Sequence, residues 1–323
     1  PDFIKDRIMI IYIVKENTID EKRVSLVPDV AKKFIKDGFD VFLEKDAGYM
    51  SKFTDDDYSS LGVNIDDNHE NISDADVIFC VRMPEDNLIN KIKSGACLIG
   101  LLNPYDNKEK LELLSKKGIN AFSMELIPRS PRAQSMDVLS SQSNLAGYKA
   151  VINSASLYNK AMPMMMTAAG TIAPAKIFIM GVGVAGLQAI ATAKTLGAVV
   201  SATDVRRAAG EQCESLGASF IMVDEEEDSE DSGGYAKEMS PEFIKAEMEL
   251  FAKQAKEVDI IITTALIPNK PAPKLILKEH VALMKPGSVI VDLAAGTCDL
   301  GGIIKRRDAV SYTHLTLPTK RIV

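Results

Sequence analysis

Short apolar runs, many of them β-branched, recur along the chain. They alternate with stretches in which apolar positions return every three or four residues. The first pattern reads as buried strand and the second as amphipathic helix. In the first part of the chain it predicts strands at 9–14, 39–43, 76–81, 97–102 and 121–124, with helices at 28–36, 87–93 and 108–117. The second part repeats the theme, with strands at 177–180, 199–203, 220–223, 259–264 and 288–292 and helices at 185–196, 241–257 and 278–284. Gly118, Gly197 and Gly217 end helical patterns, because glycine readily takes the left-handed conformation of a C-terminal cap. Strand and helix in alternation are the mark of a parallel α/β sheet.

Between the two parts lies a helical pattern over 136–158, with Ser135 as its N-cap. Its apolar residues Leu139, Leu145, Ala146, Val151, Ile152 and Leu157 do not form one stripe, which suits a helix touching two bodies. The expected architecture is therefore α/β: two Rossmann-like, doubly wound parallel-sheet domains flanking a cleft and joined by a long helix. The expected boundaries are 1–135 for the first domain, 136–160 for the connecting helix and 161–310 for the second domain. The window 161–193 is apolar enough to suggest a membrane helix, since its strongly polar residues are Lys176 and Gln188. Pro163, Pro174 and its glycines break it too often for that, so a buried strand, a glycine turn and a helix are expected instead.

A length of 323 residues suits two ordinary domains. A net charge of −7 argues against a nucleic-acid binder, which would show a basic face. Cys80, Cys97, Cys213 and Cys298 lie far apart, without metal-ligand or disulfide spacing, and read as reduced thiols in a reducing compartment. The chain shows no signal peptide and opens on Pro1 rather than Met, so it is expected to be a piece of something longer. The acid run "DEEEDSED" at 224–231 reads as a solvated loop, and the Gly233-Gly234-Tyr235 that follows it as a hinged flap.

The strongest chemical signal is Gly181-Val182-Gly183-Val184-Ala185-Gly186, which matches G-x-G-x-x-G. It follows the apolar "IFIM" and opens an Ala-rich helix. The first glycine makes a tight turn and the second lets a pyrophosphate approach the backbone. The third lets helix and strand pack closely, while the helix N-terminus faces the anion. Asp204 ends the next strand about 20 residues on, where an acid accepts from the adenosine ribose and repels a 2′-phosphate. NAD(H) is favoured over NADP(H), although Arg206 and Arg207 follow at once and have the charge to pair with a phosphate. Thr263, Thr264, Ala265 and Leu266 end another strand, and strand C-termini line the crevice in such sheets.

Nicotinamide enzymes that act on an alcohol, amine or keto acid need a proton donor and acceptor. His69 lies in a polar loop, His280 in a helix beyond the cofactor strands and His314 in the tail; none is well placed. The stretch "RSPRAQSMDVLSSQSNLAGY" offers Arg129, Gln134, Asp137 and Ser140 instead. The last three would share one face of a helix, either as a polar cap with an internal Arg–Asp pair or as a ligand clamp. Spacing alone leaves both readings open.

These blocks, with "PMMMTAAGTIAPAK", "GGYAKEMS", "TTALIPNKPAP" and "MKPGSVIVDLAA", resemble the NAD(H)-binding domain of the proton-translocating NAD(P) transhydrogenases. "VKEN" with "DEKRVSLVPD" is similar to the start shared with alanine dehydrogenase, and the resemblance covers roughly residues 8–295. It implies direct hydride transfer between NADH and NADP⁺ held on a partner domain, coupled in the full enzyme to proton movement by a membrane domain. It implies that Arg129, Gln134, Asp137 and Ser140 hold the nicotinamide end. Gly181, Gly183 and Gly186 would take the pyrophosphate, and Asp204, Val205 and Arg206 the adenosine end. Gly234 and Tyr235 would belong to a mobile loop over the nucleotide, with Ala265 and Leu266 lining the site. It also implies a homodimer, peripheral to a membrane on its cytoplasmic or matrix side. Beyond Asp292 the chain departs from the family's glycine-rich pattern, and the tail at 311–323 is expected to be truncated, frameshifted or partly foreign. The rival readings are an alanine dehydrogenase and a non-catalytic NAD-binding module. The alanine dehydrogenase catalytic His and substrate Lys would fall where this chain has Asn103 and Arg82.

Overall fold

The computed structural model describes residues 8–18, 21–128, 130–223, 240–265 and 273–293, with the backbone of short strands at 298–299 and 313–316. The chain divides into two units, Pro1–Leu139 and Ser140–Val323.

The first unit is built on β1 (Ile10–Ile13), β2 (Asp40–Glu44), β3 (Asn64–Asp66), β4 (Val77–Arg82), β5 (Cys97–Leu101) and β6 (Asn120–Ser123). Its helices are α1 (Pro28–Lys36), α2 (Asp55–Ser59), α3 (Asp86–Ile89) and α4 (Lys108–Lys116). The strands form one parallel sheet in the order β3-β2-β1-β4-β5-β6. Residues of β1 alternate between the faces: Tyr12 joins the core of Ile78 and Leu98, while Ile11 and Ile13 join that of Val41 and Leu43. A strand covered on both faces is apolar throughout, which is why β1 is plain in the sequence.

The second unit opens with α5 (Val138–Leu157), whose first two residues belong to the first unit, and the hairpin β7 (Met165–Thr167) and β8 (Gly170–Ile172). It continues through β9 (Lys176–Met180), α6 (Val184–Thr195), β10 (Val199–Thr203), α7 (Ala209–Ser215) and β11 (Ser219–Phe220). Further along come α8 (Pro241–Glu257), β12 (Ile260–Thr263), β13 (Ile276–Leu277), α9 (Lys278–Leu283), β14 (Val289–Asp292), β15 (Cys298–Asp299) and β16 (Thr313–Thr316). The main sheet has the order β11-β10-β9-β12-β14-β16, parallel except for β16. Ile177 and Ile179 face the core shared with Ala150 and Val151 of α5 and Ala189 and Ile190 of α6. Phe178 and Met180 face the opposite core, where Phe178 meets Phe251 of α8 with ring centroids 6.0 Å apart.

Both sheets are thus doubly wound, as the alternation of patterns predicts. Several local expectations need correction. The helix expected from residue 136 starts at Val138, because Gln134–Met136 forms a separate 3₁₀ turn. The helix expected at 87–93 stops at Ile89, and its continuation tightens into turns closed by Lys91 N–H on the Leu88 carbonyl and Ile92 N–H on the Ile89 carbonyl. The strand expected at 220–223 shortens to Ser219–Phe220 at the sheet edge, where it has a partner on one side only. The buried strand, glycine turn and helix expected in the window 161–193 are β9, the turn at 181–186 and α6, while the Met-rich segment before β9, for which no element was expected, is an exposed hairpin with Met166 73% exposed. No helix among the described residues is long and apolar enough to cross a membrane.

Candidate functional site

In the second sheet, β9 and β12 are neighbours whose chain connections leave in opposite directions, β9 to β10 and β12 to β14. A crevice at such a switch point, outside the strand C-termini, is where doubly wound folds take ligands. Gly181 to Gly186 stand at this place, between the end of β9 and the first turn of α6.

Each glycine has a distinct physical reason. Gly181 has φ +98°, and an added Cβ would lie 2.7 Å from the Thr264 Oγ1 and 3.0 Å from the Ala265 nitrogen. At Gly186 an added Cβ would run into the Gly181 carbonyl, so this residue lets α6 close onto β9. Gly183 differs: nothing among the described residues lies within 4 Å of an added Cβ. Its lack of a side chain is not needed by the protein's own packing and leaves the backbone open to an approaching group. Gly183 is also the N-cap of α6, and with no side chain it caps none of the first-turn amides of Val184, Ala185 and Gly186. Open backbone at an uncapped helix N-terminus fits a pyrophosphate.

The turn is braced from both sides. The Gly181 N–H donates to the Thr203 carbonyl at 2.8 Å. The Thr264 hydroxyl donates to the Gly181 carbonyl at 2.9 Å. The Val182 N–H donates to Asp204 Oδ2 at 2.7 Å. Asp204 is nearly buried and also accepts from the Arg206 N–H and from Nε on Oδ1 and Nη2 on Oδ2, each at 2.9 Å. In this conformation Arg206 is turned to its own acid, and Val205, between the two in sequence, is half-buried. Behind the end of β12, the buried Thr263 hydroxyl donates to Asp292 Oδ1 at 2.7 Å.

Sequence reasoning missed Glu247. On α8 it stands four residues from both Phe243 and Phe251, which are buried, and so on the inward face of the helix. Burial, and after it the charge of Asp204, push its carboxyl up to about 7. The available signal was a lone acid on the apolar stripe of α8. His280 is buried, and its Nδ1 accepts the Leu277 N–H at 3.2 Å.

The predicted nicotinamide-end residues fall differently from the expected helical face. Gln134 is exposed in the 3₁₀ turn. Asp137 follows with φ −75° and ψ 84°, outside helical geometry, immediately before α5, where an Asp suits a capping position. Ser140 is half-buried in the first turn of α5. The helix therefore starts too late to place Gln134 and Asp137 on one face with Ser140. Arg129, Gly234, Tyr235 and Leu266 lie outside the described residues. Among the described residues no group of three or more His, Cys, Asp or Glu is placed to hold a metal ion.

The first sheet has the same kind of switch point, between β1 and β4. Its shallow, open hollow, lined by Lys15, Glu16, Thr18, Arg82 and Leu88 among others, carries no glycine turn. Glu16 accepts the backbone N–H groups of Val81, at 2.6 Å, and Arg82, at 3.2 Å. Burial raises the Glu16 carboxyl despite those bonds. Glu21 accepts from both Arg23 and Arg82 at 2.7 Å. Burial would raise Glu21 too, but the two guanidinium groups outweigh it and hold the carboxyl at about 2.

Fold and glycine turn together define a doubly wound protein whose second unit carries a turn of the dinucleotide-binding type. Family comparison narrows this. Residues 12–146 match the model described as "Alanine dehydrogenase/PNT, N-terminal domain", and residues 150–322 match "Alanine dehydrogenase/PNT, C-terminal domain". The chain belongs to the alanine dehydrogenase/PNT family. It is 50% identical to an NAD(P) transhydrogenase alpha subunit of Rhodospirillum rubrum, over 97% of this chain and 85% of that protein. It is 30% identical to "Alanine dehydrogenase 1" of Staphylococcus aureus, over 92% of this chain and 74% of that one. The crystal structure of transhydrogenase from Sinorhizobium meliloti superposes with a TM-score of 0.80 at 47% identity, covering 90% of this chain and 80% of that chain.

Proposed function

We propose that this chain is the NAD(H)-binding component of an NAD(P) transhydrogenase and transfers hydride directly between NADH and NADP⁺ held on a partner domain. In the full enzyme this transfer is coupled to proton translocation. The observation that carries the proposal is the 50% identity along 97% of the chain to a transhydrogenase subunit, against 30% for an alanine dehydrogenase.

Bound NADH supplies the hydride. The chain's residues bind and orient: the amides at Gly183 to Gly186 take the pyrophosphate, and Asp204, Val205 and Arg206 the adenosine end. Thr264, Ala265 and Leu266 line the pocket. Arg129, Gln134, Asp137 and Ser140 hold the carboxamide and ribose, and Gly234 and Tyr235 close over the nucleotide to exclude water. Hydride transfer between two nicotinamide rings moves no proton at carbon, so positioning replaces acid–base chemistry. NAD(H) is the proposed nucleotide because Asp204 repels a 2′-phosphate and Arg206 is turned to Asp204.

The alanine dehydrogenase reading is disfavoured by the side chains at the corresponding places. Arg82 is held by Glu21, and Asn103 donates from Nδ2 to Asp106 at 2.7 Å. Neither is a proton donor poised at neutral pH.

The proposal includes an NADP(H)-binding domain, a membrane domain and a second copy of this chain as partners, with a peripheral position on the cytoplasmic or matrix side. The exposed methionines and Ile172 of the β7–β8 hairpin support a protein partner. The proposed division is 1–135, a connecting segment 136–160 that contains α5 (Val138–Leu157), a nucleotide domain 161–310 and a tail 311–323, although the family match runs on to residue 322.

The test is reconstitution. The chain should bind NADH with little oxidation alone and transfer hydride rapidly once an NADP⁺-loaded transhydrogenase partner subunit is added. Turnover of alanine or pyruvate without that partner would overturn the reading.

A further inference from the structure

Helix α5 passes α6 at a point of backbone contact. Gly147 is buried there, and a Cβ added to it would strike the carbonyl oxygen, carbonyl carbon and Cα of Ala185. Ala185 lies in the first turn of α6, directly after the glycine turn. Three residues before Gly147 on α5, Asn144 Nδ2 donates to Gln188 Oε1 at 3.1 Å. Gln188 lies one turn further along α6, and its amide is oriented by its own Nε2, which donates to the Thr192 hydroxyl at 3.1 Å. That hydroxyl donates back to the Gln188 carbonyl at 2.8 Å. The α5–α6 contact thus has a steric stop and a directional hydrogen bond, both at the end of α6 that carries the glycine turn.

Ser140, Asn144 and Gly147 are spaced four and three residues apart, so they share one face of α5. Below them on that face Val151 and Ser154 are fully buried. The face that meets α6 is therefore the face on which Ser140 stands.

We propose that Gly147, with the Asn144–Gln188 hydrogen bond, is a positioning contact. It sets the distance between the start of α5 and the first turn of α6, and with it the distance between nicotinamide ring and pyrophosphate. The inference rests on the functional reading above. Helices meeting through ordinary side chains lie about 8–10 Å apart, and glycine at the crossing permits a closer approach. A methyl group at Gly147 must push the helices apart on the ångström scale. Displacement of that size in a reacting geometry costs about 100-fold in rate. Binding, spread over the whole dinucleotide, changes far less.

The experiment compares wild type, Gly147→Ala, Asn144→Ala, Gln188→Ala and the Asn144→Ala/Gln188→Ala double variant. Each is mixed with the partner subunit, and NADH affinity is read by fluorescence and hydride transfer by single-turnover kinetics. For Gly147→Ala we expect transfer to fall about 10- to 100-fold while the NADH Kd moves less than about threefold. Asn144→Ala inserts nothing and keeps the test alive if Gly147→Ala does not fold. It should slow transfer about three- to tenfold, and the double variant should fall no further, since both singles remove one bond. Unchanged transfer, an equal loss of affinity and rate, or independent losses in the double variant would overturn the positioning role. Normal wild-type transfer in those cases leaves the functional reading standing. A wild type that transfers no hydride to the loaded partner overturns both.

Discussion

The two units share a sheet plan and treat its ligand crevice in opposite ways. In the second unit the chain leaves β9 through three glycines, and the neighbouring strand end sends a hydroxyl, Thr264, to brace the turn. The backbone at Gly183 stays open. In the first unit the chain leaves β1 through Lys15 and Glu16, and the Glu16 carboxylate takes the β4 amides that an anionic ligand would have used. Glu21 then binds Arg23 and Arg82 together beside the same hollow. The first crevice is lined by a carboxyl group of the protein's own, Glu16. Topology therefore makes a place for a ligand but does not decide whether one is admitted. The few residues after the first strand decide it.

The sharpest break of this comparison is Gly183→Val. Its side chain would enter open space, so the melting temperature should stay within a few degrees. It would block the approach of a phosphate, so NADH affinity should fall about 100-fold, roughly 3 kcal/mol. Calorimetric titration and a thermal scan check both halves, and equal affinity for wild type and variant would remove the dinucleotide from this turn.

Gln134→Asn should slow hydride transfer about tenfold or more while changing NADH binding about twofold, measured by stopped-flow with the partner subunit. Equal losses would make Gln134 a binding residue.

The first unit should respond in stability and not in binding. Glu21→Gln leaves Arg23 and Arg82 without their shared charge and should cost about 1–3 kcal/mol in denaturant unfolding at neutral pH, with NADH affinity unchanged. Because the folded carboxyl is depressed to about 2, its contribution is complete above the ordinary carboxylate range. It is lost as pH falls from about 4.5 toward 2. The acid-induced loss should therefore be smaller in the variant.

Glu247 has the opposite sign. Its folded carboxyl is raised to about 7, so the folded state holds the proton more tightly and stability declines as pH rises from about 4.5 to 7. Glu247→Gln should stabilise the second unit by about 1–2 kcal/mol at pH 8 and by almost nothing near pH 4.5, read as the difference in unfolding midpoint.

Much of the fold was legible because central strands covered on both faces, such as β1, β9 and β12, are unbroken apolar runs. The short elements α2 and β3 were not. The short helix α2 is held by a capping box between Thr54 and Asp57, and β3 is half exposed, so neither carries an apolar signal. In the candidate site the glycine turn and Asp204 were legible from spacing alone, since each answers to a local backbone or charge requirement. Glu247 was not, because its raised carboxyl arises from a helix packed against a sheet.

The sequence by itself determined the doubly wound plan, the turn chemistry at Gly181 to Gly186 and the lack of an obvious acid–base pair. These are set by periodicity and by residue type within a few positions of one another. Only the tertiary structure decided that Gly183 is open while Gly186 is closed against Gly181, that α5 begins at Val138 rather than 136, and that α5 and α6 touch at Gly147 and Ala185. It also decided that Glu16 lines the first crevice and takes the amides of Val81 and Arg82, which lie more than 60 residues away. Such contacts depend on which distant backbone groups the sheet brings within a few ångströms, and no local pattern encodes that distance.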